Sequence, residues 1–100
     1  MKTTFKDEGN HVTMGFEGRL DTAASAQTEK DMQVLSQHSG RDVTLDCSAL
    51  EYISSSGLRL FLGVAKNARK TGNKVTICGL SDALRHVFDE IGFTQLFTII

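Results

Sequence analysis

Proline is absent from this chain of 100 residues, cysteine occurs only twice, and no apolar run reaches the length of a membrane span. The nine glycines are scattered. With no proline or glycine cluster there is no linker, low-complexity tract or internal repeat to divide the chain, so residues 1–100 are expected to form a single domain around one modest core. Charge of one sign is also lacking. A formal net charge of -1 offers no general attraction to nucleic acid or anionic lipid, which argues against direct nucleic-acid binding, while the want of a span-length apolar run argues against membrane insertion. Partners are then recognised by local shape and chemistry. Cys47 and Cys78 each sit in a hydrophobic run rather than in a close pair, and no signal-peptide pattern is present, so a reducing cytoplasm is the expected compartment.

The order of elements is informative. Val12, Met14 and Phe16 alternate with Thr13, Gly15 and Glu17, the period of a half-buried strand, and Thr3 to Lys6 reads as an edge strand paired with it. Asp21 is a plausible N-cap for a helix over Thr22 to Gln37, with Ala24, Thr28, Met32 and Leu35 on one face and Gly40 beyond its end. "DVTLDCSAL" reads as a buried strand centred on Val43 to Cys47. Leu58, Phe61, Leu62, Ala65 and Ala68 then follow at spacings of three and four, the apolar stripe of a helix that Gly72 stops. "KVTIC" is a further strand. "SDALRHVFDEIG" is a helix capped by Ser81 or Asp82, with Leu84, Val87, Phe88 and Ile91 on its inner face, and Thr94 to Ile100 closes the sheet. Successive strand-helix-strand units imply parallel strands joined by right-handed crossovers, so the fold class is α/β with a mixed sheet.

Parallel strands bring their carboxyl ends to one edge, where open α/β sheets usually meet ligands and partners. "EGRLD", "DCSALEYISSSG" and "GLSD" are expected to share that edge, which makes Asp21 and the serine run neighbours in space. Ser54 or Ser55 falls at or just before the N-cap of the best helix, beside unpaired N–H groups and the positive end of the helix dipole. A cap is the plain reading of such serines. A phosphoryl group there adds roughly -1.5 to -2 charge where the dipole tolerates it, on a surface that a partner reads. Gly57 costs up to about 1 kcal/mol in a helix's first turn, which suggests that it leaves room for another protein to approach.

"GRLD", "LDCSALEYISSSGLR" and "KVTICGLSDALRHVFDEIGF", in that order, resemble a STAS domain of the bacterial anti-sigma factor antagonist type, over about Thr3 to Phe97. The resemblance implies a STAS-like fold, a mixed central sheet of about four to five strands with interspersed helices mainly packed on one side. It implies no enzyme and no cofactor, but a binding switch. In that family a serine at the start of the second helix is phosphorylated by a serine kinase that is itself the anti-sigma factor, a serine phosphatase reverses this, and the unphosphorylated form binds the kinase and frees the sigma factor. Carried over, the phosphorylated residue corresponds to Ser55, with Ser54 and Ser56 as alternatives, because "SSSG" stands where the family has "DSSG". Ser54 thus replaces a frequent aspartate. Asp21 corresponds to an aspartate of the partner-contacting surface, which with Ser54, Ser56, Gly57, Leu58, Leu60 and Val64 makes up the expected docking face. Asp46 and Ser48 match a "D-x-S" at the end of the third strand, read as a structural turn.

Other residues are set against simpler roles. Cys47 and Cys78 read as buried small hydrophobes, and His11, His38 and His86 are too dispersed for a metal site or for a general base at the serine edge. Leu60 and Val64 lie off the main stripe and suit either a modest apolar partner surface or packing under a neighbouring helix. The alternative function is a STAS scaffold subunit of a membrane transporter complex, without phosphorylation. Both monomer and weak dimer are compatible with the sequence.

Overall fold

The alternation at Val12, Met14 and Phe16 continues through β2 (His11–Leu20), every second residue of which is buried as far as Phe16. In the computed structural model, which describes residues 1–38 and 40–100, β2 lies beside β1 (Lys2–Asp7) in antiparallel register, Phe5 opposite Met14. The chain then alternates helix and strand: α1 (Thr22–Gln37), β3 (Asp42–Ile53), α2 (Ser55–Lys70), β4 (Val75–Cys78) and α3 (Asp82–Glu90). A 3-10 turn at Phe93–Gln95 leads into β5 (Thr98–Ile99). The strands lie in chain order, β1-β2-β3-β4-β5, and every pair after the first is parallel. Right-handed crossovers between strands laid down in order carry each helix to the same face. The mixed α/β sheet and one-sided helices expected from the sequence are therefore present.

The covered face holds the core. Phe16, Phe61, Phe88, Phe93 and Phe97 form a chain of ring contacts, with centroid separations of 5.0, 6.1, 5.7 and 5.6 Å, joining β2 to α2, α3 and the carboxyl terminus. Each such ring contributes on the order of 2–3 kcal/mol through burial, so this aromatic line fixes α2 and α3 on the sheet. The opposite face is open. Across it Thr13, Thr44, Thr76 and Thr98 stand in register on four neighbouring strands. Threonine suits a strand through its branched Cβ while its hydroxyl tolerates water, which is why this face needs no covering layer.

β3 departs from the sequence reading. It does not end at "D-x-S" but runs on to Ile53, and two register shifts against β2 give it two more residues than its partner. Beyond Asp46 the buried positions fall three apart, at Cys47, Leu50 and Ile53, which breaks the period of two and hides the strand in the sequence. Asp46 and Ser48 have a structural role inside the strand: Asp46 Oδ1 accepts from Ser48 N–H at 3.0 Å and from Ser48 Oγ at 2.6 Å, supporting the backbone at the first irregularity.

Two smaller corrections concern the carboxyl-terminal third. In α3 only Leu84 and Phe88 are buried, while Val87 and Ile91 are exposed: the helix meets the core along a narrower strip than a full apolar stripe would need. The segment Thr94 to Ile100 closes the sheet only at its end, where Thr98 and Ile99 form β5 beside β4 and Ile100 N–H donates to the Ile77 carbonyl at 3.0 Å.

Candidate functional site

The longest strands of the sheet, β2 and β3, project together beyond β4, whose register against β3 spans only Val43 to Asp46. At the tip of that two-stranded arm Leu20 pairs with Ile53, and both point into the core. The next residue of each strand starts a helix. Asp21 is the N-cap of α1, its Oδ1 accepting from Ala24 N–H at 2.9 Å, and Ser54 is the N-cap of α2, its Oγ accepting from Gly57 N–H at 3.2 Å. Ser54 N–H donates to the Leu20 carbonyl at 2.8 Å, which ties the two helix starts together. Asp21 and the serine run are thus neighbours, as the topology predicts.

The three serines differ in exposure. Ser54 is buried at 8% and its hydroxyl is engaged in the cap, Ser55 is exposed at the first residue of α2, and Ser56 is half-buried. A hydroxyl at that first position stands beside backbone N–H groups that have no partner within the helix, and no acidic residue occupies the first turn of α2. The local field therefore favours an anion on Ser55.

Gly57 has a different reason from the one expected. It is buried, and a Cβ there would lie 2.8 Å from Leu20 Cγ and 2.9 Å from Ile53 Cγ1. The missing side chain lets α2 seat on the ends of β2 and β3 and leaves no opening for a visitor. Leu58 is half-buried against the core. Leu60 and Val64 are half-buried too, and border a groove of about 550 Å³ between α1 and α2 together with Met32 and Leu35.

"GLSD" does not reach the tip. Gly79 follows the end of β4 with φ of +77°, and a Cβ would lie 2.7 Å from Ser48 backbone atoms, which places this turn against the middle of β3. The reason is register: Cys78 pairs with Asp46, and β3 continues to Ile53 before its own helix begins. Cys47 is fully buried, and burial pushes its thiol up to about 12. Cys78, expected to be buried, is half-buried at the edge of the open face, its thiol raised by burial and then by the carboxylate of Asp46. Asp46 itself is held below the ordinary carboxylate range by the Ser48 hydroxyl and N–H. Neither thiol is an activated nucleophile.

The sequence reading missed Arg19 and Tyr52. They are register partners on the far side of the arm from Leu20 and Ile53, and the guanidinium carbon of Arg19 lies 4.4 Å from the centroid of the Tyr52 ring. Stacking of this kind contributes about 0.5–1 kcal/mol at an exposed site and holds both side chains beside the two caps. No spacing in the sequence reveals the pair, because the second register shift lies just before it.

A model of the STAS domain matches residues 3–100. The chain belongs to the STAS domain family. Among curated relatives, a candidate anti-sigma factor antagonist of Bordetella bronchiseptica, BtrV, is 32% identical over 99% of this chain and 85% of its own length. The anti-sigma-B factor antagonist of Staphylococcus aureus is 27% identical over 99% of this chain and 90% of its own length. Solved structures share the fold at low identity. One, a candidate anti-sigma factor antagonist of Thermotoga maritima, superposes with a TM-score of 0.86 at 15% identity, covering 96% of this chain and 83% of that one. The Bacillus cell fate determinant SpoIIAA, solved in its phosphorylated form, gives 0.75 at 18% identity over 99% of this chain and 91% of that one.

In this STAS domain the arm of β2 and β3 thus presents Asp21, Ser55, Arg19 and Tyr52 around the start of α2. No helix among the described residues is long and apolar enough to cross a membrane.

Proposed function

We propose that this chain is an anti-sigma factor antagonist: its unphosphorylated form binds an anti-sigma factor that is also a serine kinase, and phosphorylation of Ser55 breaks that complex until a phosphatase restores it. The observation that carries the reading is the contrast between adjacent hydroxyls, Ser54 buried in its cap and Ser55 exposed at the first residue of α2 beside Asp21. The relatives named as antagonists span nearly the whole chain, which supports the same role. A phosphate on Ser55 adds roughly -1.5 to -2 charge at a helix start that accommodates it, so the fold survives while the docking face becomes more negative.

The docking face is Asp21, Ser56, Leu58 and the exposed start of α2, with Ser54 and Gly57 acting from below as cap and seat. In this reading the protein works by binding rather than by catalysis, the role that the names of its antagonist relatives support. Its place of action is the cytoplasm. Site-mapping mass spectrometry on protein from its native cells, compared between growth and stress, tests the switch. Phosphate on Ser55 in one condition is the expected result, and its absence in every condition sinks it.

A further inference from the structure

Arg59 stands four residues after Ser55 in α2, and both side chains are exposed. Residues four apart on a helix share a face, with Cβ atoms about 5–6 Å apart, within reach of a long guanidinium. The other arginine at the tip of the arm, Arg19, is occupied: it lies over Tyr52. Arg59 forms no ion pair among the described residues, where the pairs found are Glu8 with His11, Asp7 with His38 and Arg41, and Glu90 with His86. Glu29 borders the same groove as Arg59 but is not within pairing distance of it, and the first turn of α2 holds no acid. An exposed cation with no carboxylate to hold it thus stands one turn from the hydroxyl that the functional reading modifies.

We infer that Arg59 is the internal partner of a phosphate on Ser55, so that one modification alters the docking face twice, adding an anion and withdrawing a cation. This rests on the reading of Ser55 as the modified residue. The planar guanidinium fork matches phosphate oxygens, and the pair forms along the helix surface without any change of backbone. Before modification the ridge of Ser55 and Arg59 carries one positive charge, which suits an acidic patch on the partner. Afterwards it carries about -0.5 to -1. The switch is therefore a reversal of sign, which repels where a simple loss of charge would only weaken.

The test uses the full chain with phosphoserine installed at position 55 during translation, followed by phosphorus NMR across pH. A neighbouring cation favours the dianion, so the second phosphate pKa is expected to be lower by roughly 0.3 to 0.5 in the native chain than in Arg59→Gln. Arg59→Lys restores most of the difference, and 1 M salt shrinks it. Arg69→Gln, at the far end of α2, leaves it in place. Equal titration curves for the native and Arg59→Gln chains overturn the inference, as does an equal effect of Arg69→Gln. Because the phosphate is installed directly, the result is independent of whether cells phosphorylate Ser55, which site mapping decides separately.

Discussion

β3 and β4 each feed a helix through a serine cap of the same local chemistry: Ser54 accepts from Gly57 N–H, and Ser81 from Leu84 N–H, both at 3.2 Å. The residues that follow differ. At the first helical position α3 has Asp82, a fixed anion, where α2 has the hydroxyl of Ser55. At the third, α3 buries Leu84, where α2 has Gly57 pressed against Leu20 and Ile53. The start of α3 thus holds permanently the charge that the start of α2 is proposed to gain and lose. What separates the two junctions is their place: one lies at the tip of a two-stranded arm, the other against the middle of the sheet.

The largest expected effect concerns the cysteines behind the two junctions. Cys47 has its thiol raised from an ordinary 9.0 to about 12, so from pH 9 upward the unfolded chain loses a proton that the folded chain keeps. Stability present below pH 9 should then fall by roughly 1 kcal/mol per pH unit as the pH rises towards about 12. Urea melts across that range should show the slope, and Cys47→Ala should flatten it far more than Cys78→Ala does.

Making the third position alike comes next. Gly57→Leu places α3's residue in α2, and overpacking against Leu20 and Ile53 should cost about 3 kcal/mol in chemical denaturation. Gly63→Ala in the same helix, where a Cβ meets open space, should instead stabilise by about 0.5–1 kcal/mol. If both substitutions proved neutral, the seating of α2 would have been misread.

The caps should separate by burial. Ser54→Ala is expected to cost about 2 kcal/mol and Ser81→Ala about 1, because the loss at Ser54 leaves a buried N–H without a partner. Equal thermal shifts would remove that distinction.

The smallest effect on stability, and the largest on function, belongs to the first position. Ser55→Asp gives α2 the anion of α3 and should raise stability by about 0.3–1 kcal/mol at low salt with an unchanged circular-dichroism spectrum. Titration calorimetry against the anti-sigma partner should show weakened binding. A melting temperature that drops steeply would mark Ser55 as structural.

Much of the fold was legible. Alternation along β2, the apolar stripe of α2, Asp21 as a cap, and caps at Ser54 or Ser55 and at Ser81 or Asp82 are local signals, set by propensity and periodicity over a few residues. The extension of β3 was not, because its two irregularities replace the period of two with steps of three from Cys47 to Ile53. The role of Gly57 was not legible either, since the atoms that exclude a side chain belong to Leu20 and Ile53. Val87 and Ile91 look like core in the helical pattern and are exposed, because periodicity names a face without saying how wide a strip its neighbours cover.

The sequence by itself determined the order of elements, their parallel sense and the chemistry available at each helix start, since these follow from local preference and from the handedness of the crossovers. Tertiary structure alone decided which hydroxyl is free. Ser54 and Ser55 are the same residue type side by side, and only the packing of α2 on the arm of β2 and β3 turns one inward to the cap and leaves the other in water.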